Sequence, residues 1–316
     1  MIKNVVFMGT PDFAVGTLQA LIDSGRYQVQ AVFSQPDKPK GRSRALQMPP
    51  VKEAAISVGI PVYQPVKIRE KEWIDLLNEL RPDVIVVAAF GQIIPQAILD
   101  IPEYGCINVH ASLLPKYRGA APIQWAVING EEESGVTTMR MDAGLDTGDM
   151  ILKRIVPLEK DETGGSLFDK LSAAGASLLL ETLEALENGT ASYEKQPEES
   201  PTPYAAMLTK EDGCIDWSMS ARAIECRIRG LDPWPGAWTR FRGKLLKIWK
   251  AEVDSAGTDA PRMQPGTICK VTKTSLYVQT GDGVLSIREL QPEGKKRMTA
   301  DAYLRGYPVT AGEGFF

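Results

Sequence analysis

The sequence holds one histidine, His110, and four cysteines, Cys106, Cys214, Cys226 and Cys269, with no CxxC pair. A single imidazole excludes any metal site built on two histidines. Cysteines this scattered argue against a zinc site or a disulfide framework and for a reducing compartment. No apolar run approaches the roughly 20 residues of a membrane span. The opening stretch, Met1 to Phe7, shows no cleavable signal pattern. The expectation is a cytoplasmic protein without a membrane partner. What is present is an ordinary globular mixture. The 316 residues, 43% hydrophobic and 24% charged, suffice for one large domain or two average ones with a sizeable core.

The net charge of −4 hides an asymmetry. From Met207 onward 17 Lys and Arg face 13 Asp and Glu, whereas the preceding part holds 19 basic against 27 acidic residues. Either this is chance, or an anion-binding later part follows an acidic earlier one.

Hydrophobic patterning divides the chain. Val5–Met8, Val29–Phe33, Asp83–Ala89 and Gly105–His110 read as strands, the third so continuously apolar that it suits a central parallel strand covered on both faces. Phe13–Ser24 has helical spacing with Gly25 as its stop, and a long helix runs from about Ser166 to Glu187 before Asn188-Gly189. Val136–Met141 and Met150–Ile155 add further strands. Alternating strands and helices predict an α/β, Rossmann-like, doubly wound and mostly parallel sheet over residues 1–189. Residues 190–206, rich in Pro, Glu and Ser, read as a linker. Over 207–316 a helix at Ala221–Arg229 precedes short alternating segments at 237–241, 245–249, 267–271, 276–280 and 284–287. Their turn spacing predicts a small, OB-like β-barrel.

The first strand ends in Gly9-Thr10-Pro11-Asp12, where a nucleotide-binding fold carries its phosphate loop. Pro11 and Asp12 occupy places where a pyrophosphate needs close backbone approach, so this turn is read as a plain strand-to-helix connection. The informative stretch begins at Asn108. Asn108 and His110 lie two apart at a strand end, so their side chains leave the same face, beyond which open parallel sheets bind ligands. An amide donor beside an imidazole suits binding of an oxyanion and movement of a proton. A lone histidine is often merely structural, but its strand-end position, the neighbouring Asn108 and the loop that follows favour function. A third group must orient or charge it, and Asp142–Asp149 is the candidate loop. That loop is alternatively a calcium-type turn, although it lacks the ligand spacing of an EF-hand, or a simple connection.

The pattern Asn108-x-His110-x-Ser112-Leu113-Leu114-Pro115-x-x-Arg118-Gly119-x-Ala121-Pro122-Ile123, followed by Asp142-x-Gly144-x-Asp146-Thr147-Gly148, resembles the folate-dependent formyltransferases. Gly9-Thr10-Pro11-x-Phe13-Ala14, Lys210-Glu211-Asp212-Gly213-x-Ile215-Asp216-Trp217 and Arg229-Gly230-Leu231-x-Pro233-Trp234-Pro235-Gly236-Ala237 carry the resemblance across the whole chain. It implies that 10-formyltetrahydrofolate is a consumed co-substrate, that no metal is required, and that the acceptor is the α-amine of initiator methionyl-tRNA. It implies catalytic roles for Asn108 as oxyanion donor, His110 as donor and proton shuttle, and Asp146 as the group that holds the histidine and relays the amine proton. Folate would be lined by Ser112, Leu113, Leu114 and Pro115, with backbone near Phe90 and Gly91. Lys38, Lys40, Arg42 and Arg44 resemble the family's tRNA-contacting insertion; alternating in an extended loop, they could follow a phosphate backbone, or simply be solvated. The central motif is shared with enzymes that formylate amino sugars, and a non-catalytic RNA-binding protein is the rival outside enzymes.

Overall fold

The computed structural model describes residues 1–40, 45–254 and 263–315. The chain forms two compact units. One comprises Met1–Pro122, Glu133–Pro157 and Phe168–Ala206, and the other Ile123–Glu132, Leu158–Leu167 and Met207–Phe316.

In chain order the structure builds β1 (Asn4–Gly9), α1 (Asp12–Asp23), β2 (Gln28–Phe33), β3 (Lys38–Lys40), β4 (Ala45–Gln47), α2 (Pro50–Ser57), β5 (Val62–Tyr63), α3 (Lys71–Leu80), β6 (Val84–Ala88), α4 (Gln96–Leu99) and β7 (Cys106–His110). Then come α5 (Pro122–Ile128), β8 (Glu133–Arg140), β9 (Asp149–Pro157) and the long α6 (Gly164–Glu187). The sheet of the first unit has the order β5-β2-β1-β6-β7-β8-β9, parallel from β5 to β7 and antiparallel over the last two pairings. Every residue of β6 and β7 is buried, which explains their near-continuous apolar sequence. Strand order reverses on either side of β1, and the crevice beyond the carboxyl ends at such a reversal is where these sheets receive ligands. On one face Val6, Met8, Phe33, Ile85, Val87 and Phe90 join Leu77 of α3 and Ile98 of α4 in one core. On the other, Phe13 of α1 meets Phe168 of α6 edge-on at 5.8 Å, and Thr138 of β8 bonds Thr182 of α6 at 2.7 Å.

Two features depart from the expected pattern. Lys38–Lys40 and Ala45–Gln47 form a short antiparallel pair, β3 on β4, rather than an open loop. Its base is tied by Lys52, whose ammonium reaches Asp37 at 2.8 Å and Gln64 at 2.7 Å. The Pro- and Glu-rich stretch before residue 207 is bound closely to the first unit: Glu194 pairs with Met150, and Ala205 with Arg118 and Ala120.

The second unit holds a short 3₁₀ turn at Glu211–Gly213 and α7 (Ala221–Gly230), followed by β10 (Ala237–Phe241), β11 (Lys244–Val253), β12 (Ile268–Val271), β13 (Leu276–Gln279), β14 (Val284–Pro292), β15 (Met298–Thr299) and α8 (Ala300–Gly306). The strands form an antiparallel sheet, β10-β11-β14-β13-β12, with β15 against β14. Gly314 and Phe315 bridge Thr267 and Phe241, linking the β12 and β10 edges, and Phe315 is buried between Trp217 and Phe241.

Candidate active site

Strand β7 sets two of the three expected groups. Asn108 pairs in register with Val87 of β6 and Met139 of β8, and His110 with Thr137. Both side chains are buried, at 8% and 6% exposure. The third group arrives from the β8–β9 connection. Asp146 Oδ1 stands 3.5 Å from Asn108 Nδ2 and 3.7 Å from His110 Nδ1, while Gly119 N–H donates to Asp146 Oδ2 at 2.9 Å. Asp146 itself has φ +56°, in the left-handed region that Asp and Asn tolerate better than most residues.

The β8–β9 loop is built by its own side chains. Asp142 Oδ1 accepts from Gly144 N–H at 3.0 Å and from Thr147 Oγ1 at 2.8 Å, an Asx-type turn that occupies that oxygen. A Cβ on Gly148 would lie 1.9 Å from the Arg140 carbonyl oxygen, so only glycine passes there. Among the described residues no group of three or more His, Cys, Asp or Glu is placed to hold a metal ion.

The imidazole is fixed at its other nitrogen. His110 Nε2 lies 3.0 Å from the Tyr117 carbonyl oxygen. A carbonyl only accepts, so Nε2 carries hydrogen and Nδ1 is the atom left to face Asp146. Tyr117 sits in the loop following β7, at φ +57°. That loop is secured by Thr137, fully buried, whose Oγ1 donates to the Ser112 carbonyl at 2.7 Å and accepts from Leu114 N–H at 3.0 Å. Gly119, at φ +128°, lies against the Ala205 carbonyl; a Cβ there would come within 2.6 Å of it.

The residues expected around folate take different positions. Leu113 and Pro115 line a cavity of about 300 Å³ with Lys116, Tyr117, Glu133, Ser134 and Pro201, and none of Asn108, His110 and Asp146 borders it. Leu114 is buried against Met139 and Met150. Ser112 is fully buried and spends its hydroxyl on the Lys116 carbonyl at 2.6 Å. Phe90 places its ring in the core, and its carbonyl accepts from Thr10 at 3.0 Å. Gly91, at φ +79°, presents its carbonyl to Gln35 at 2.9 Å. Lys38 is exposed on the hairpin and Lys40 ends β3, whereas Arg42 and Arg44 lie outside the described residues.

Sequence reasoning missed three contacts of this cluster: the Tyr117 carbonyl on His110, the Gly119 N–H on Asp146, and Gln196, whose amide bonds the Asp146 and Gly148 carbonyls. Glycine inside the motif was a signal for the second. Gln196, in a stretch without periodicity, gave none.

A doubly wound sheet that gathers an amide, an imidazole and a carboxylate at one strand end is the framework of a group-transfer enzyme acting at a carbonyl carbon. The chain matches the formyl transferase family over residues 3–183 and the formyl transferase C-terminal domain over residues 207–308; it belongs to the formyl transferase family. It is 58% identical over 312 residues to a methionyl-tRNA formyltransferase of Agathobacter rectalis, covering 99% of both chains. It is 53% identical to one of Lachnospira eligens, covering 98% of each. Solved structures share the fold at low identity. An N-formyltransferase from Helicobacter canadensis, in complex with folinic acid and dTDP-3-aminofucose, has a TM-score of 0.64 and 20% identity over 94% of this chain and 100% of that one. HypX from Aquifex aeolicus, in complex with tetrahydrofolic acid, has a TM-score of 0.61 and 17% identity over 100% of this chain and 50% of that one.

Proposed function

We propose that this chain transfers the formyl group of 10-formyltetrahydrofolate to the α-amine of methionine on initiator tRNA. One observation carries the reading: Asn108 and His110 converge on a single oxygen of Asp146, at 3.5 and 3.7 Å. The chain that holds them is more than half identical, end to end, to proteins named for this reaction.

The uncharged amine attacks the formyl carbon and forms a C–N bond. The carbonyl oxygen becomes an oxyanion, which the Asn108 amide stabilises as a donor, joined by the His110 ring once its Nδ1 has taken the amine proton. Such a donor typically contributes a factor of about 10²–10³ in rate. The bond from carbon to the folate nitrogen then breaks as that nitrogen takes a proton. The amine proton lost in forming the new amide balances it. Because Nε2 donates to Tyr117, the Nδ1 edge, shared with Asp146, is where this proton moves. Asp146 supplies the negative charge that an imidazolium requires. No step needs a metal.

Leu113 and Pro115 contribute the apolar part of a folate site, with Ser112 and Leu114 shaping the loop, and Phe90 and Gly91 lie one strand away. Lys38 and Lys40 on the hairpin, with Arg42 and Arg44, meet tRNA phosphates. In the second unit Lys247 and Arg297 each stand 5.2 Å from the Trp249 ring, a cationic and aromatic surface suited to nucleic acid. All four cysteines are free and, among the described residues, no helix is long and apolar enough to cross a membrane. With a tRNA acceptor, we assign the activity to the cytoplasm.

The test is transfer of labelled formyl from the folate donor to three acceptors: methionyl-tRNA, uncharged tRNA and amino-sugar nucleotides. Label on methionyl-tRNA alone supports the reading. Label on the sugar nucleotide, or on none, refutes it.

A further inference from the structure

Asp146 is held by more than its neighbours in the motif. Gln196 is buried, at 6% exposure. Its Nε2 donates to the Asp146 carbonyl at 2.9 Å and to the Gly148 carbonyl at 2.8 Å. Its Oε1 accepts from Arg118 Nε at 3.0 Å. Arg118, at 7% exposure, turns the rest of its guanidinium to the backbone; Nη1 and Nη2 donate to the Glu198 and Pro197 carbonyls at 3.1 and 2.7 Å. One buried amide therefore joins the loop carrying Asp146 to the loop carrying the Tyr117 carbonyl that orients His110.

The same segment continues along the second loop. Ser200 Oγ donates to the Pro115 carbonyl at 2.8 Å, and Thr202 Oγ1 accepts from Tyr117 N–H at 2.7 Å. Ala205 accepts from Ala120 N–H at 2.8 Å and donates to the Arg118 carbonyl at 2.8 Å. From Gln196 to Ala205 the chain thus bonds to both halves of the site.

We propose that Gln196 is a positioning residue for the reaction, setting the carboxylate of Asp146 against His110 and Asn108 through the Asp146 and Gly148 carbonyls. The proposal rests on the catalytic reading of Asp146. That residue's left-handed backbone and its 3.5 and 3.7 Å contacts depend on where the loop backbone sits, and the Gln196 amide donates to two of that backbone's carbonyls, at Asp146 and Gly148. An amide suits this role, because it donates two bonds inward while its oxygen takes the arginine. A carboxylate at this position would keep the arginine and lose both inward donors. Misplacement of a catalytic group by about 1 Å costs as much as 10²-fold.

The test uses the full chain with Gln196→Met, which preserves length and volume, and Gln196→Glu, which preserves the partner of Arg118. Both are measured alone and in the Asp146→Asn background. We expect kcat to fall at least tenfold with KM for either substrate changed less than threefold, and little further loss in the Asp146→Asn background, because the two residues act as one unit. Unchanged kcat in Gln196→Met overturns the proposal. A loss that multiplies with Asp146→Asn also overturns it, since Gln196 then acts elsewhere. Should Gln196→Met fail to fold, Gln196→Glu decides by the same two readouts. If Asp146→Asn by itself leaves turnover intact, the reading of Asp146 fails, and with it the role given to Gln196; a Gln196 loss that multiplies with a slowed but measurable Asp146→Asn enzyme removes only the latter.

Discussion

Asp146→Asn removes one charge and, by the local geometry, little else. Asparagine tolerates the left-handed backbone as well as aspartate does, so φ +56° costs it no more. Its side-chain oxygen can still accept from Gly119 N–H, which stands 2.9 Å from Oδ2. Its amide nitrogen then turns toward Asn108 Nδ2 and His110 Nδ1, where the carboxylate oxygen stood at 3.5 and 3.7 Å. Two amide nitrogens that both donate now oppose each other. The imidazole keeps Nε2–H on Tyr117, but its Nδ1 faces a neutral donor that occupies the lone pair and offers no charge to an imidazolium. General acid–base assistance is worth about 10²–10⁴ in rate, or about 2.7–5.5 kcal/mol of barrier. We expect single-turnover formyl transfer to methionyl-tRNA at least about 10² slower, with KM for both substrates and the thermal midpoint nearly unchanged. Single-turnover kinetics isolate the chemical step. A variant with wild-type single-turnover rate at saturating substrates would refute the assignment of charge and proton transfer to Asp146.

Thr137→Val keeps the shape of a fully buried side chain but leaves the Ser112 carbonyl and the Leu114 N–H unpaired; each unmet group costs about 1–3 kcal/mol, and denaturant unfolding should show a loss of about 2–6 kcal/mol. Lys38→Ala should lower tRNA affinity and reduce the slope of log affinity against log salt by about 0.7–0.9, leaving folate binding unaltered; superimposable salt curves would exclude a phosphate contact. The Lys52 ammonium, then the Gln64 amide, hold the Asp37 carboxyl below its ordinary range. For a depressed carboxylate the stabilisation is complete above its unfolded value of about 3.9 and is lost as pH falls through the lower folded value. Hydrogen exchange at the hairpin should therefore quicken only in acid below that value, and Lys52→Met should abolish this acid-specific step.

The parallel sheet was legible because buried β6 and β7 leave long apolar runs, and the Asn108–His110 pair because strand alternation puts both on one face. Asp146 followed from its motif, but its partner Gly119 did not, since the contact spans 27 residues and Gly119 contributes only its backbone N–H. The β3–β4 hairpin is hidden in the sequence: its strands are three residues each, include Pro39, and offer no apolar alternation. The segment from Gln196 to Ala205 reads as a tether for a similar reason. Its order comes from hydrogen bonds to carbonyls and amides of a distant loop rather than from an apolar stripe. Gln196 carries no charge and no periodicity, and its importance lies wholly in what the fold brings beside it.

The solitary imidazole gives this enzyme a built-in spectroscopic reporter. With His110 the one histidine in 316 residues, a histidine-selective ¹⁵N label yields one pair of ring-nitrogen resonances and one carbon-bound proton pattern, assigned without mutagenesis. The hydrogen bond from Nε2 to Tyr117 fixes what the uncharged ring must show: a protonated, pyrrole-type Nε2 and a pyridine-type Nδ1. Each substrate added in turn would then be read at the nitrogen it approaches. On the proposed mechanism, the chemical shift of Nδ1 records when the acceptor amine arrives and where its proton resides.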